Sequence, residues 1–231
     1  MMQPMTTPPA RYTLKADPHS SHSVILRWLG AGGGRRLLDV GAADGLLSRA
    51  LTARGWRVTG VEADPGRAAA GAGGCEAMVV ADLDQALPEI PHGFDAIVYG
   101  DVLEHLREPA RVLAALDHYL APGGRVVISV PNVAHLWMRL SLAAGRFEYG
   151  ERGILDRTHL RFFTRRSLAS LLASAGLVVV RMTATPVPLY QVLPERLHGR
   201  ALAAVHGLSA AASRALPRLL GYQFVVLARP A

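Results

Sequence analysis

Three acidic residues, Glu62, Asp82 and Asp101, stand at or just beyond the ends of successive apolar runs in the first half of the chain. If these runs are strands of one parallel sheet, their carboxyl ends meet along the same edge, where open α/β sheets bind ligands. Ionised carboxylates there can accept hydrogen bonds from the hydroxyl and amino groups of a bound molecule. The spacing therefore predicts a ligand pocket at this edge, against the alternative that the carboxylates are merely solvated.

Residues 37–47 read Leu-Leu-Asp-Val-Gly-Ala-Ala-Asp-Gly-Leu-Leu, which indicates a strand, a tight turn and the start of a helix. Gly41 allows a sharp change of direction and Gly45 allows a ligand to approach closely, because neither residue carries a Cβ. The free amides at the start of the helix would face that ligand. The glycine spacing fits the GxGxxG fingerprint of dinucleotide sites poorly, so the turn alone is weak evidence for a ligand site. The acidic residues that follow it at regular intervals are the stronger evidence.

Histidine supplies the candidates for proton transfer. His105 lies with Asp101 and Glu104 where the fourth predicted strand meets the next helix, and His159 lies in the second half of the chain. Imidazole titrates near neutral pH, so either histidine could serve as the catalytic base, and we favour His159. The cluster at residues 101–105 is too local to complete a coordination sphere, so we expect no metal site. Structural pairing of these groups is the alternative to catalysis.

From residue 35 onward, strand-like runs alternate with helical patterns, which is typical of a parallel sheet with helices on both faces. A chain of 231 residues, 50% of them hydrophobic, can bury one full core. We therefore expect a disordered N-terminus over residues 1–10 and a single domain over residues 11–231. Within that domain we expect a lid over residues 133–164 and a helical insertion over residues 185–220.

Several segments occur in order on this frame: Asp39-Val-Gly-Ala-Ala-Asp-Gly45, Val61-Glu62, Asp82-Leu83, Phe94-Asp-Ala-Ile97, Val102-Leu-Glu-His-Leu106 and Leu120-Ala-Pro-Gly-Gly-Arg-Val126. Over residues 37–132 they resemble the successive motifs of class I S-adenosylmethionine-dependent methyltransferases. One position departs from the pattern, since Ala43 stands where the family usually has the middle glycine of a GxGxG turn. The resemblance implies an α/β fold with a Rossmann-like, doubly wound, mostly parallel seven-stranded sheet. It also implies an antiparallel last strand. The block inserted after strand five lies outside this family core, and its position suits a lid.

The same resemblance implies S-adenosyl-L-methionine as the cofactor. It places Asp39 and Gly41 beside the methionine portion, Glu62 on both ribose hydroxyls and Asp82 on the adenine amino group. The residues expected at the cofactor are Asp39, Gly41, Ala42, Gly45, Glu62, Ala63, Asp82, Leu83 and Asp101.

The predicted lid carries the acceptor side of the site. Its run Asp156-Arg-Thr-His-Leu-Arg-Phe-Phe163 resembles a motif of bacterial methyltransferases found beside glycosyltransferases and other envelope-glycan enzymes. In an extended segment, alternation would place Arg157, His159 and Arg161 on one side, where two guanidiniums suit a phosphate or carboxylate. The alternative is that salt bridges of these arginines hold the lid in place, with two phenylalanines packed beneath it.

Asn132 either lines the pocket or caps the next helix. The expected acceptor-binding residues are Asn132, His135, Arg157 and Arg161.

Composition limits the possible partners of the protein and the compartment in which it works. The net charge is +7, but Lys15 is the only lysine and the arginines form no dense patch, so a nucleic-acid partner is disfavoured while an anionic acceptor fits. The single cysteine, Cys75, cannot form an internal disulfide. The first residues lack the apolar stretch of a secretory leader, and no run approaches the roughly 18 apolar residues of a membrane span. These features predict a cytoplasmic protein.

We therefore expect transfer of a methyl group from S-adenosylmethionine to a small-molecule or glycan-type acceptor, with oxygen as the favoured atom. A helix predicted over residues 195–216 would pack on the sheet, pair with a second subunit in a homodimer, or rest on a membrane and serve a lipid-linked acceptor. Two other functions stay open. One is a cofactor-binding partner or regulator of another enzyme, and the other is an RNA methyltransferase, for which no RNA-binding module is recognisable.

Overall fold

The computed structural model describes residues 17–231, so the predicted disordered segment 1–10 lies outside the described residues. The helices are α1 (Ser21–Leu29), α2 (Leu46–Thr52), α3 (Pro65–Gly71), α4 (Pro109–Asp117), α5 (Leu136–Ala143), α6 (Arg165–Ser174), α7 (Leu189–Val192), α8 (Arg200–Ala215) and α9 (Pro217–Leu220). The strands are β1 (Arg36–Val40), β2 (Arg57–Glu62), β3 (Ala77–Val80), β4 (Phe94–Gly100), β5 (Leu120–Pro131), β6 (Leu177–Thr185) and β7 (Gln223–Pro230).

These strands form one sheet in the order β3-β2-β1-β4-β5-β7-β6. The pairings from β3 through β5 are parallel, whereas β7 is antiparallel to both of its neighbours. The expected doubly wound, mostly parallel sheet with an antiparallel last strand is therefore confirmed. The strand order reverses between β1 and β4, and in such sheets the ligand crevice lies beyond the carboxyl ends of the strands at this point.

Both faces of the sheet are covered by apolar side chains. On one face Leu37 of β1 joins a buried cluster with residues of α1 and α2, and on the other Leu38 and Val40 join a cluster with residues of α4 and α6. Side chains alternate across a strand, so a strand buried on both faces needs a continuous apolar run. Each of these leucines contributes about 1.5–3 kcal/mol through burial. The packing of β1 thus holds the turn that follows it in a defined position.

Residues 133–164 leave the sheet after β5 and return to it near α6. Asn132 and Phe163 form a parallel bridge at the base of this segment, and Gly150 and Asp156 form a second bridge within it. The amides of Leu160 and Arg161 donate to the carbonyl of Glu104, at 2.8 and 3.0 Å. The segment therefore lies against the loop that follows β4, at the carboxyl edge of the sheet.

The helical insertion differs from its predicted form. The sequence predicts one helix over residues 195–216, whereas the structure has a 3-10 turn at Glu195–Leu197 followed by α8. Gly199 precedes α8 in an extended conformation, with φ −153° and ψ −173°, and glycine disfavours a continuous helix through its backbone entropy. A buried pair anchors α8, because His206 Nε2 lies 2.9 Å from Asp17 Oδ1. None of the helices within residues 17–231 has the length and apolar character that crossing a bilayer requires.

Candidate active site

The turn after β1 has the backbone conformation that its glycines allow. Gly41 has a φ of +67° and Gly45 a φ of +70°, in the left-handed region that side chains disfavour. A Cβ on Gly41 would lie 2.5 Å from Val102 Cγ2, and a Cβ on Gly45 would lie 2.6 Å from the carbonyl oxygen of Gly71. Gly45 is therefore needed for packing against the end of α3. The sequence predicts only that Gly45 leaves room for a ligand.

Ala43, in the middle of this turn, also has a positive φ, of +50°. The left-handed conformation costs a residue with a Cβ about 1–2 kcal/mol, which glycine would avoid. Glycine also has more conformational freedom in the unfolded chain, which lowers the free energy of unfolding by about 0.4–1 kcal/mol. We therefore expect Ala43→Gly to raise the free energy of unfolding by up to about 1 kcal/mol, as measured by urea denaturation. Ala50→Gly, inside α2, is the control and should lower it by about 1 kcal/mol. A loss of stability in both variants would contradict the strain assigned to Ala43.

Glu62, the last residue of β2, is tied to the turn. Its Oε2 accepts a hydrogen bond from the amide of Ala43 at 2.8 Å, and its Oε1 accepts one from the amide of Asp64 at 3.0 Å. The side chain is 8% exposed, and the neighbouring Ala63 is exposed. Each carboxylate oxygen has a further lone pair after these bonds. Glu62 therefore presents a fixed pair of acceptors at the carboxyl ends of β1 and β2.

Asp39 lies beside this turn and is buried in β1. The hydroxyl of Ser48, on α2, donates to Asp39 Oδ2 at 2.5 Å. Burial raises the pKa of Asp39 from 3.8 to about 6; the hydrogen bond from Ser48 opposes this rise and the charge of Glu62 adds to it. Because the folded-state pKa is raised, the stability linked to Asp39 is fully present below pH 3.8 and is lost as the pH rises through about 6. A cation bound next to Asp39 would compensate for this cost.

Asp82 and Leu83 follow β3 at the far side of the same edge. Asp82 is exposed, and its carboxylate accepts hydrogen bonds from the amide of Asp84 at 3.0 Å and from Gln85 Nε2 at 2.7 Å. Leu83 is 6% exposed and joins the core below β1 and β4. The structure thus brings an acceptor and an apolar side chain to this position, and their contact with the adenine stays a prediction.

Asp101 follows β4 in the left-handed conformation, with a φ of +59°. Ser129 on β5 holds it there: its hydroxyl donates to Asp101 Oδ1 at 2.6 Å, and its carbonyl accepts from the Asp101 amide at 3.1 Å. Neither Ser129 nor Ser48 is among the residues that the sequence predicts at the site. The sequence holds a signal for Ser129, which is the one polar residue in the run Val126–Val130.

A second group of titratable residues lies between the loop after β4 and segment 133–164. Glu104 is 1% exposed, and neither of its carboxylate oxygens has a hydrogen-bond partner among the described residues. Burial, assisted by the charges of Asp101 and Asp156, raises the pKa of Glu104 well above its usual value. The rings of His105 and His159 are 4.9 Å apart between centroids and meet edge to face. Burial and the neighbouring His159 lower the pKa of His105, which favours its neutral form.

The predicted alternation over residues 157–161 is wrong. Asp156 Oδ1 accepts from both the amide and the hydroxyl of Thr158, at 2.8 and 2.7 Å, so this part of the chain turns instead of extending. His159 is 9% exposed, whereas Arg157 and Arg161 are exposed. Arg161 Nε and Nη2 both donate to the carbonyl of Arg107. The two guanidiniums therefore do not flank the imidazole on one side.

The remaining two acceptor-side candidates lie at the base of segment 133–164. Asn132 is fully buried; its Nδ2 donates to the carbonyl of Gly221 at 2.8 Å, and its Oδ1 accepts from the amide of Ala134 at 3.0 Å. Its side chain is used within the fold, and His135, not Asn132, caps α5 by accepting from the amide of Trp137. Burial lowers the pKa of the half-buried His135. These residues position the segment at the end of β5.

Comparisons with known proteins identify the family. The family described as "Methyltransferase domain" matches residues 16–182. A protein named ubiquinone biosynthesis O-methyltransferase from Xylella fastidiosa (strain 9a5c) is 36% identical over 152 residues, which cover 62% of this chain and 61% of that protein. A protein of the same name from Aeromonas salmonicida (strain A449) is 33% identical over 180 residues, which cover 71% of this chain and 74% of that protein.

The match thus spans about three fifths of the length of the Xylella relative. Among solved structures, a SAM-dependent methyltransferase from Archaeoglobus fulgidus aligns with a TM-score of 0.60 at 17% identity, over 90% of this chain and 93% of that chain. At this identity the likeness concerns the fold alone. The profile match and the Aeromonas relative establish that the chain belongs to the methyltransferase domain family.

Proposed function

We propose that the protein transfers the sulfonium methyl group of S-adenosylmethionine to an oxygen atom of a small-molecule acceptor. The observation that supports this most strongly is the convergence of the turn after β1, the buried Asp39 and the anchored Glu62 at the strand edge where the sheet order reverses. In this proposal Glu62 accepts the ribose hydroxyls and Asp39 faces the methionine ammonium. Ala42, Ala63, Asp82, Leu83 and Asp101 complete the cofactor side.

Cofactor affinity should rise as the pH increases through about 6. The unliganded Asp39 has a pKa of about 6, and only its ionised form attracts an ammonium group. Binding at pH 5 must therefore release a proton from Asp39, which weakens the observed affinity. Calorimetric titration with S-adenosylmethionine at pH 5, 6, 7 and 8 measures the effect, and Asp39→Asn is the control that should abolish the pH dependence. A flat profile in the unaltered protein would contradict the contact.

Segment 133–164 acts as a lid over the acceptor in this proposal. Trp137 and Leu140 of α5 are 69% and 57% exposed, and Arg157 is exposed within the same segment. Exposed apolar side chains and a guanidinium in the same segment suit an acceptor that has an apolar part and an anionic group, such as a lipid-linked sugar phosphate. The Xylella and Aeromonas relatives are named as O-methyltransferases, which supports oxygen as the acceptor atom.

His105 and His159 activate the acceptor hydroxyl in this proposal. Each ring has its Nδ1 within hydrogen-bond distance of a backbone carbonyl, which leaves Nε2 as the nitrogen with the free lone pair. A neutral imidazole can accept the proton that the hydroxyl loses as the methyl group arrives. The sulfonium itself drives the displacement, so holding the acceptor oxygen in line with the methyl carbon contributes at least as much.

Residues 185–220 offer a further surface. Val205 and Leu208 on α8 are 55% and 72% exposed, and Arg200 at the start of the same helix is exposed too. A basic helix with exposed apolar side chains suits peripheral contact with a membrane, and we favour this over contact with a second copy of the chain because a lipid-linked acceptor would be presented there.

The experiment that tests the proposed function has two steps. Calorimetry with S-adenosylmethionine should show one site per chain. Incubation with labelled cofactor and candidate acceptors should then show methyl transfer to at least one of them; the acceptors are phosphorylated sugars, lipid-linked sugars and phenols with an apolar tail. Cofactor binding without transfer to any acceptor, together with a stable complex with another enzyme, would instead favour the role of a partner or regulator.

A further inference from the structure

We propose that Glu104, His105 and His159 form a binding site for one divalent transition-metal cation such as Zn²⁺. One nitrogen of each imidazole and one carboxylate oxygen all lie within 4.8 Å of one another. Two of the three residues are buried, and segment 133–164 supplies His159. The expectation of no metal site rested on a cluster confined to residues 101–105, and the folded chain adds a ligand from 54 residues beyond His105.

A backbone carbonyl lies within hydrogen-bond distance of each imidazole. His105 Nδ1 lies 3.2 Å from the carbonyl oxygen of Thr158, and His159 Nδ1 lies 3.0 Å from that of Ile154. A proton on Nδ1 that is donated to a carbonyl leaves the Nε2 lone pair for a cation, which is the usual arrangement around protein metal sites. The two carbonyls fix the tautomer and the plane of each ring before any metal binds.

Glu104 gives the independent argument for a cation. Its carboxylate is almost completely buried and both oxygens lack a hydrogen-bond partner among the described residues. A buried polar group without a partner costs about 1–3 kcal/mol, and more if it is charged, so native proteins rarely leave one. A cation between Glu104 and the two imidazoles would supply the missing partner. Asp101 and Asp156 lie close enough to influence Glu104 electrostatically and add to the negative potential there.

The ligand types select the class of metal. Two imidazoles and one carboxylate suit Zn²⁺ and related transition metals, whereas Mg²⁺ prefers oxygen ligands alone. With metal–ligand distances of about 2.0–2.2 Å, tetrahedral ligand atoms are about 3.5 Å apart, so the side chains need to close by roughly 1 Å. Three protein ligands leave at least one coordination position for water or substrate, as in catalytic sites.

The role of the cation rests on the proposed function. An acceptor hydroxyl bound to the metal loses its proton more easily, because the cation stabilises the alkoxide, and the proton passes to solvent. The oxygen then forms a bond to the methyl carbon while the carbon–sulfur bond breaks. The electron pair of that bond stays on sulfur, which leaves neutral S-adenosylhomocysteine. In this form of the mechanism His159 acts as a ligand, and metal-assisted ionisation replaces proton transfer to its imidazole.

The test is a metal titration of the full chain after treatment with a chelator. Zn²⁺ binding is measured by calorimetry and Co²⁺ binding by visible absorption, which reports coordination by nitrogen and oxygen. We expect one ion per chain, with affinity reduced at least about 100-fold in Glu104→Gln and in His159→Ala. His118→Ala, at an exposed position after α4, is the matched control and should bind as the unaltered protein does. Circular dichroism checks that each variant is folded.

If His159→Ala does not fold, His105→Ala replaces it, because His105 is more accessible to solvent than His159. The metal site is refuted if no ion binds stoichiometrically, or if the folded Glu104 and histidine variants bind as tightly as the control. Titration of the same samples with S-adenosylmethionine separates the two proposals. Cofactor binding without metal binding overturns the metal site alone, whereas metal binding without cofactor binding overturns the proposed function alone.

Discussion

Replacing His159 with alanine should lower the rate of methyl transfer by a factor of about 100 or more while leaving the affinity for S-adenosylmethionine unchanged. His159 is buried next to Glu104 and His105, in a segment that lies against the loop after β4. Its loss removes either the proton acceptor or a metal ligand, and both reduce activation of the acceptor hydroxyl. The cofactor contacts proposed at β1 and β2 involve other residues, so cofactor binding should not change.

Single-turnover rates with a saturating acceptor measure this effect, and calorimetry measures the cofactor affinity. His118→Ala is the control, since it removes an exposed imidazole that lies before β5, at the opposite end of the strands from the carboxyl edge. Restoration of the rate by added imidazole would point to direct proton acceptance, and its absence together with a loss of Zn²⁺ binding would point to the ligand role. An unchanged rate in His159→Ala would mean that this residue only supports the fold.

Glu62→Ala should weaken the binding of S-adenosylmethionine by about 1–3 kcal/mol, which corresponds to roughly 5–150-fold in Kd. The buried carboxylate of Glu62 is held by the amides of Ala43 and Asp64 and is aimed across the turn after β1. Without it, both ribose hydroxyls would lose the acceptor proposed for them, and the turn loses the bond that fixes Ala43.

Calorimetry at pH 7.5 measures the change in Kd, and thermal unfolding of the unliganded variant separates a loss of binding from a loss of structure. Glu89→Ala is the matched control, because it removes an exposed glutamate from the loop between β3 and β4. Equal affinity for the cofactor in Glu62→Ala and Glu89→Ala, with both variants folded, would count against the assignment of the ribose to Glu62.

The positions of the residues proposed to bind the cofactor follow from local sequence. Glu62 ends a strand and Asp101 follows one directly, so predicting the strands is enough to place both residues at one edge. The turn after β1 can also be predicted from its two glycines, because few other residues tolerate the positive φ angles that they adopt. The doubly wound form of the sheet and its antiparallel last strand are predicted from the family resemblance instead, since spacing along the chain does not determine which strands are neighbours.

The acceptor side depends on contacts between distant residues and could not be predicted in the same way. The carbonyl of Glu104 accepts from the amide of Leu160, and His105 contacts the carbonyl of Thr158, across more than 50 residues in each case. The extended form predicted for residues 157–161 failed because Asp156 bonds to Thr158. That turn had a local signal, since aspartate commonly accepts from the amide two residues on. Pairing of the turn with the loop after β4 had none.

The position of β7 between β5 and β6 bears on how the protein is made. A nascent chain that has just delivered β6 holds two strands whose common partner has not yet been synthesised, and the residues from 186 to 222 must emerge before β7 can fill the gap. Until then, the facing edges of β5 and β6 expose unpaired amides and carbonyls, which are templates for aggregation. We therefore expect ribosome-bound intermediates of this protein to depend on chaperones until β7 has been synthesised.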